Sequence, residues 1–495
     1  MSSDVSSSPS LPPAPPAPKM HELPLRTLYE LLAPVTVRAG HPRATFTNWG
    51  LSYTCTPLCV FEPETEEQCR LVLELARREG KSVRVAGVGH SPSDLVCTTG
   101  FMLRTEKLNK VIEVNVEKRY VVAQAGVILN DLHVQLASHG LAMRNLGSIS
   151  DQTIGGVITT ATHGSGMNWP VLSMHVLALV LLLADGSRVR CSRQERPDLF
   201  LASICGIGAT GLILEITLEV EPAFRLKEVQ ENHSFDHVVQ NLDAIARSAE
   251  HVRLWWFPQA DVVRVSTANR TNEPRKPVGT WLWHSIVGFH LLQFLLFIAR
   301  YVPVLNIYLG RFMAWLVRDR TVTVDDSHRV YNIDCKYPQY TTEWAIPYAH
   351  AQACLREVRA WLESEFADPA GLRPHSSVEI RFSSPDDIWL SPSYGQQTCW
   401  IGLVQFKPYG LNVPYRKLFA RFEALMRAHG GTPHWAKTHP LGPDALRARY
   451  PRFDDFVRVL AAADPHGLFR NPYVERHIFG REGAEFGPRV FKRLP

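Results

Sequence analysis

The feature that most restricts the fold is a β-α-β unit near the start of the folded chain. Leu58–Phe61 is a short apolar run that predicts a strand. A helix should follow, because Thr65 can cap its first turn, with Gln68 at the capping-box position. Gly80 ends this helix, and Val83–Val85 predicts the second strand. The helix has one apolar face at helical spacing, formed by Cys69, Val72, Leu73 and Ala76.

A glycine-containing loop follows directly after the second strand. It reads Ala86-Gly-Val-Gly-His-Ser-Pro92, and its two glycines would let backbone N–H groups approach a diphosphate closely. Pro92 disfavours a helix at this point, so His90 is predicted to lie in a tight phosphate-type loop. A lone histidine is more often structural than functional, and this pattern alone leaves both interpretations of His90 open.

A second glycine motif matches the dinucleotide fingerprint only in its letters. Gly206-Ile-Gly-Ala-Thr-Gly211 fits GxGxxG, but that fingerprint must follow a strand and open a helix. Here Pro197–Cys205 predicts a helix before the motif, and the alternation from Leu212 to Val220 predicts a strand after it. The order is inverted, so we predict no nicotinamide dinucleotide at this motif.

A third cluster combines glycine, serine and threonine with buried-type residues. It covers residues 146–156 and 159–166, and small side chains here would expose many backbone and hydroxyl donors. A flexible loop is the alternative. The interleaved Ile149, Ile154, Val157 and Ile158 favour a packed segment instead.

Composition narrows the class of protein. A chain of 495 residues with 45% hydrophobic and 20% charged residues can form substantial cores over two or more domains. The net charge of +5 gives no case for a nucleic-acid binder. Nine cysteines without a CxxC pair indicate a reducing compartment rather than a disulfide scaffold or structural zinc site, and we predict no metal.

Two segments stand apart from the α/β pattern. The N-terminus is rich in Ser, Pro and Ala, and we predict a disordered leader over residues 1–43. Residues 279–299 contain no Asp, Glu, Lys or Arg, and the apolar character continues to Val317. An uncharged stretch of this length could cross or lie on a bilayer, or form buried amphipathic helices; we favour membrane association of 279–317.

Several motifs, in order, resemble the vanillyl-alcohol oxidase family of flavoproteins and, within it, the aldonolactone oxidases. The resemblance covers residue 44 to the C-terminus. It is carried by Gly87-Val-Gly-His-Ser91, Leu146-Gly-Ser-Ile149, Ala161-Thr-His-Gly-Ser165, Glu343-Trp-Ala-Ile-Pro347, Glu379-Ile-Arg381, His434-Trp-Ala-Lys437 and Asp464-Pro-His-Gly-Leu-Phe469. It implies an α+β fold: a two-subdomain PCMH-type FAD-binding domain over 44–222, then an α+β substrate (cap) domain over 223–495 with the apolar insertion.

The resemblance also implies how FAD is held. His90 would be joined covalently to the flavin. Gly147 would leave O2 access to it, where family dehydrogenases carry alanine; an ordinary turn glycine is the alternative. Further cofactor-binding residues would be Gly87, Val88, Gly89, Ser91, Thr153, Gly155, Gly156, Thr160, His163, Ile216 and His434.

The predicted catalytic residues come mainly from the second half. Glu379 and Arg381 alternate in a strand-like run, so both side chains point to one face and could meet one substrate. Lys437 would supply positive charge to the flavin or the substrate oxygen, and Ser148 a hydrogen bond. The alternatives are a sheet-surface ion pair for Glu379 and Arg381, and a surface loop for Lys437.

The resemblance implies oxidation of D-arabinono-1,4-lactone, or a related aldonolactone, to D-erythroascorbate, with hydride transfer to flavin N5 and reduction of O2 to H2O2. It also implies a mitochondrial membrane location, the outer membrane in particular. Three alternatives stay open: an alditol or sugar oxidase, a cytochrome-linked lactone dehydrogenase, and a non-catalytic membrane-anchored flavoprotein.

Overall fold

The computed structural model describes residues 20–276, 288–332 and 337–487. Its first half, to residue 222, contains helices α1 (Leu25–Leu32), α2 (Glu66–Glu79), α3 (Leu129–Ser138), α4 (Ile154–Thr159) and α5 (Pro197–Ser203). Its strands are β1 (Phe46–Thr47), β2 (Thr54–Cys55), β3 (Cys59–Phe61), β4 (Val83–Ala86), β5 (Phe101–Arg104), β6 (Val111–Asn115), β7 (Tyr120–Gln124), β8 (Leu141–Ala142), β9 (Val176–Leu182), β10 (Arg188–Ser192), β11 (Leu212–Glu219) and β12 (Glu221–Pro222).

The predicted β-α-β unit is confirmed. Strands β3 and β4 both pair in parallel with β5, in a sheet ordered β3-β5-β4. Helix α2 begins with the Thr65–Gln68 capping box and ends at Gly80, whose φ is 62°. A second, five-stranded antiparallel sheet follows in the order β10-β9-β11-β7-β6. The two sheets form two subdomains with the glycine loop between them.

The leader prediction was wrong for part of its range. Residues 1–19 lie outside the described chain, but α1 falls within the predicted leader. Leu28 and Leu32 of this helix are fully buried in one cluster with residues of α2, including Leu71 and Leu75. Burial of these side chains against α2 compensates for the entropy that the segment loses when it becomes ordered. The Ser/Pro/Ala-rich composition of the N-terminus had predicted that this entropy loss would keep the segment disordered.

The second half forms one large sheet covered by helices. Its strands are β13 (Arg225–Ser234), β14 (His251–Phe257), β15 (Val262–Thr271), β16 (Thr321–Asp326), β17 (Gln339–Pro347), β18 (Val378–Ser383), β19 (Thr398–Phe406) and β20 (Thr432–Pro433). They pair antiparallel in the order β16-β13-β15-β14-β18-β19-β17-β20. The helices are α6 (Phe235–Gln240), α7 (Leu242–Ala246), α8 (Leu292–Ala299), α9 (Leu305–Leu316), α10 (Ser327–Tyr331), α11 (Ala351–Ala367), α12 (Arg416–Ala428), α13 (Pro443–Arg447), α14 (Phe453–Ala463) and α15 (Pro472–Ile478).

The apolar segment predicted to associate with a membrane is described only in part. Residues 277–287 lie outside the described chain, and the remainder forms the short helices α8 and α9. Within the described ranges, none of the helices has the length and apolar character needed to span a bilayer.

Candidate active site

A cleft lies between the two subdomains of the first half, with the glycine loop after β4 as one wall. A Cβ at Gly87 would lie 2.0 Å from Thr153 Oγ1, and Gly89 has a φ of +78°, so both positions require glycine. The backbone can therefore come close to a bound group here. Nine of the predicted cofactor residues line this cleft: Gly87, Val88, Gly89, His90, Ser91, Thr153, Gly155, Gly156 and Thr160.

His90 faces the cleft with one ring nitrogen unpaired. Its imidazole stacks on Trp49, with 5.3 Å between ring centroids, and its Nδ1 has no hydrogen-bond partner among the described residues. Burial lowers the pKa of His90; the charge of Asp151 opposes this shift, and the charge of Lys437 adds to it. The cleft is therefore lined by a neutral imidazole whose Nδ1 makes no hydrogen bond to the described chain.

The GxGxxG segment also contributes to the cleft, although not as a dinucleotide fingerprint. Helix α5 precedes it and β11 follows it, as the inverted pattern predicted. Ile207, Gly208 and Gly211 nevertheless line the cleft. The buried Arg84 of β4 donates to Ile207 O at 2.7 Å and so fixes this segment against the glycine loop's own strand.

A second group of side chains gathers on one face of the large sheet. Strands β17 and β18 flank β19, and the register places Glu343, Gly402 and Glu379 in one row across the three strands. Arg381 and Trp400 pair two positions further along and so share this face. Gly402 places no side chain of its own between the two carboxylates in this row.

Arg381 joins these groups. Its Nη2 lies 2.6 Å from Glu343 Oε1, and its Nε lies 3.7 Å from Glu379 Oε1. From the first half, Ser148 Oγ lies 3.4 Å from Arg381 Nη1, which also donates to His163 O at 3.3 Å. The two halves of the chain therefore meet at this guanidinium.

The segment after β20 connects the side chains around Arg381 with the cleft. His434 N donates to Glu343 O at 3.0 Å, and Lys437 Nζ lies 3.9 Å from Glu343 Oε2. Ala436, between them, lines the cleft beside the glycine loop. These residues, called the Glu343 cluster below, therefore lie at the edge of the cofactor cleft: Glu343, Glu379, Arg381, His163, His434 and Lys437.

Burial and charge fix the protonation of the cluster. Burial alone would raise the pKa of Glu343, but Arg381, His163 and Lys437 together hold it well below its usual range. Burial lowers the pKa of His163 to about 4 and that of His434 well below its usual range. Near neutral pH the cluster therefore contains an ionised Glu343 beside two neutral imidazoles. The His163 ring also stacks on Trp400 at 3.7 Å.

Comparison with known proteins decides the family. A family model described as D-arabinono-1,4-lactone oxidase matches residues 216–477, just over half of the chain. The chain belongs to the aldonolactone oxidase family. A second model, described as an FAD binding domain, matches residues 57–192, which contain most of the residues that line the cleft. This aldonolactone oxidase family member therefore uses FAD, as predicted.

Individual relatives agree with this assignment. The L-gulonolactone oxidase of Scyliorhinus torazame is 38% identical over 435 residues, which is 88% of this chain and 98% of that one. A putative D-arabinono-1,4-lactone oxidase of Neurospora crassa is 32% identical over 489 residues, covering 90% of this chain and 87% of that one. Cholesterol oxidase from Brevibacterium sterolicum has a similar fold, with a TM-score of 0.76 at 15% identity, over 90% of this chain and 100% of that one. The predicted α+β FAD-oxidase fold is thus confirmed in outline.

FAD suits the residues of the cleft in this family member. The close backbone approach at Gly87 and Gly89 can accommodate a diphosphate, and the unpaired His90 nitrogen can meet a flavin ring. Four predicted cofactor residues lie elsewhere. Ile216 is buried in the core of β11, whereas Ile213 lines the cleft; His163 and His434 adjoin Glu343, and Gly147 packs near Thr162.

Three residues of the site were not predicted from the sequence to have a role there. Glu343 was part of a quoted motif but had no role assigned to it. Trp400 and Arg253 were not singled out; Arg253 Nε lies 3.9 Å from Glu379 Oε1. The only sequence signal available was the match of residues 343–347 to the family, because the register that aligns Glu343 with Glu379 is a long-range property.

One trio has the spacing of metal ligands. His163, Glu343 and His434 offer ligand atoms that lie within 4.8 Å of one another. Arg381 and Lys437 border the same carboxylate, and their positive charge disfavours a divalent cation there. The expectation that this family member needs no metal stays a prediction.

Proposed function

We propose that this protein is an FAD-dependent oxidase that converts a secondary hydroxyl of a 1,4-aldonolactone to a carbonyl and reduces O2 to H2O2. The names of the relatives, L-gulonolactone oxidase and D-arabinono-1,4-lactone oxidase, support the substrate class. The observation that carries the proposal is the Glu379–Arg381 pair, which is linked through Glu343 to Lys437, next to Ala436 of the cleft lining. D-arabinono-1,4-lactone, giving D-erythroascorbate, is the first candidate substrate.

The roles of the side chains follow from their partners. FAD, when bound, supplies the two-electron acceptor. Glu379 Oε1 has no hydrogen bond within the described chain, so it can accept the proton of the substrate hydroxyl. Arg381 and Lys437 stabilise negative charge that develops on the substrate oxygen. Glu343 is the positioning residue, because its ionised carboxylate lies near both cations.

A lactone panel tests the proposal. Purified holoenzyme is assayed for H2O2 release with D-arabinono-, L-galactono- and L-gulono-1,4-lactone, and with xylitol as a non-lactone polyol. We expect peroxide with at least one lactone and none with xylitol. Oxidation of xylitol alone would indicate an alditol oxidase. Dye reduction by a lactone without peroxide would indicate a dehydrogenase. Absence of both reactions from a flavin-loaded protein would contradict catalysis.

Gly147 provides a separate test of O2 as acceptor. We expect Gly147→Ala to lower peroxide formation by about tenfold or more while dye reduction persists, because a methyl group would occupy closely packed space needed by O2. The added Cβ would lie 3.0 Å from Thr162 Cγ2, so packing strain is a competing explanation. Gly147→Ala/Thr162→Ser relieves that contact, and Thr162→Ser alone is the control. Equal loss of peroxide and dye activity in both Gly147 variants would contradict a gate for O2.

We also propose that residues 279–317 associate with a mitochondrial membrane, the outer membrane in particular, and that the catalytic domains remain outside the bilayer. Support comes from large apolar side chains on α8 and α9 that face solvent: Phe294 is 49%, Tyr308 62% and Trp315 49% exposed. Such side chains suit the interface of a bilayer. Flotation with liposomes measures this association, and recovery of all the protein in the dense fraction would contradict it.

A further inference from the structure

A second cavity lies in the substrate domain between helix α8, strand β19 and the start of α12. Its volume is about 820 Å³, within the usual range for small-molecule sites. Apolar side chains form much of the wall: Leu296, Ala299, Tyr340, Leu372, Val413 and Leu418. None of the FAD-cleft or Glu343-cluster residues lines this cavity, so the proposed oxidation leaves it unexplained.

Two hydrogen-bond donors that line the cavity have no acceptor within the described chain. Gln405 is 2% exposed, and its Nε2 has no partner there. Arg300 donates through Nε to Asn412 O, but its buried Nη1 has no partner there either. Buried donors are nearly always satisfied, so two orphans in one cavity indicate a missing acceptor.

The charge of the lining agrees with an anionic acceptor. Arg300, Arg373, Arg416 and Lys417 line the cavity, and none of its described lining residues is Asp or Glu. Arg373 already donates to Leu372 O at 3.2 Å, whereas Arg416 and Lys417 are exposed at the start of α12. A carboxylate or phosphate inside the cavity would accept from Arg300 and Gln405 and be attracted by the rim.

We propose that this cavity binds one long-chain anionic amphiphile. Its carboxylate or phosphate would pair with Arg300 and Gln405, and its alkyl chain would lie along Leu296 and Leu418. Both free fatty acids and membrane phospholipids have this chemistry. Large apolar side chains are also exposed next to Arg300 in the sequence: Tyr301 is 54% and Val302 45% exposed.

Calorimetric titration of the full-length holoenzyme with laurate below its micelle concentration tests the proposal. We expect saturable binding at one site. Dodecanol keeps the chain without the charge, and butyrate keeps the charge with little chain. Each should bind at least about tenfold more weakly, because each loses either the charge-assisted hydrogen bonds or the apolar burial. Equal binding of dodecanol and laurate would overturn the anionic part of the proposal.

Variants connect binding with the cavity. Arg300→Gln should weaken laurate binding about tenfold or more, while Arg318→Gln, which removes an exposed arginine near the end of α9, should leave it unchanged. If Arg300→Gln does not fold, the rim variant Arg416→Gln/Lys417→Gln provides the same comparison. Unchanged laurate affinity in a folded cavity variant, or no saturable binding to the wild-type protein, would overturn the proposal.

Vesicles of phosphatidylcholine with and without phosphatidic acid distinguish the source of the amphiphile. If membrane lipid fills the cavity, Arg300→Gln should lose the added binding that phosphatidic acid provides. If free amphiphile fills it, this variant should lose laurate binding but bind both vesicle types like the wild type. Retention of laurate binding by Arg300→Gln would overturn the proposal whatever the result with vesicles, and independently of any lactone activity.

Discussion

Glu379→Gln is expected to lower the rate of flavin reduction at saturating lactone by ~10²–10⁴-fold, because the variant keeps the side-chain shape but loses the proton acceptor. Glu379 is placed for this role by β18, whose alternation brings its Oε1 to 3.7 Å from Arg381 Nε. Stopped-flow measurement of the reductive half-reaction without O2 gives the rate directly. The Glu379 side chain is only 25% exposed, and its Oε1 lies 3.7 Å from Arg381 Nε and 3.9 Å from Arg253 Nε. The free energy of unfolding should therefore also fall, but by less than at the more deeply buried Glu343.

Glu343→Gln is the matched control, because it is the same substitution in the same row of the sheet. Glu343 and Arg381 are 5% and 8% exposed, so loss of this charge leaves a buried guanidinium without its nearest partner. We expect the free energy of unfolding to fall by about 3–5 kcal/mol. The reverse pattern would exchange the two roles: a stable but inactive Glu343→Gln and a fully active Glu379→Gln would make Glu343 the proton acceptor.

Local elements of the fold could be predicted from the sequence because their causes are local. The Thr65–Gln68 capping box and Gly80 fix the ends of α2 within the span they enclose. The hairpin from β9 to β10 turns at Asp185-Gly186, and Gly186 has a φ of 83°. In each case the residues that determine the structure are neighbours in sequence.

The geometry of the active site was harder to predict from the sequence, because it depends on the register between strands that are distant in the chain. Glu379 and Arg381 are two residues apart, and their shared face followed from strand alternation alone. Glu343 joins them only because β17 and β18 both pair with β19, with Gly402 between the two carboxylates. A one-residue slip would turn Glu343 to the other face, and no local pattern excludes such a slip.

Long-range packing also explains two further differences. Composition predicted disorder for residues 1–43, yet Leu28 and Leu32 are buried with α2. The GxGxxG segment lies between α5 and β11, as its inverted pattern predicted, but its place in the cofactor cleft depends on Arg84, more than a hundred residues away in sequence, which donates to Ile207 O. Neither contact leaves a periodic signal in the sequence.

We propose that the flavin is covalently attached through His90, and His90→Ala is therefore expected to make all of the flavin acid-extractable. The unpaired Nδ1 and the neutral state of the buried imidazole suit attachment through this ring, and alanine offers no nucleophile. FAD should still bind, because the close backbone approach at Gly87 and Gly89 does not depend on the side chain at 90. Turnover should therefore be reduced but measurable when FAD is supplied.

The measurement is the visible absorbance of the pellet and supernatant after acid precipitation. Wild-type protein should keep its colour in the pellet, and His90→Ala should release it. His139→Ala, at an exposed histidine directly after α3, should behave like wild type. Flavin that stays in the His90→Ala pellet would place the attachment on another residue, and flavin released from the wild type would show that the imidazole lines the cleft without forming a bond.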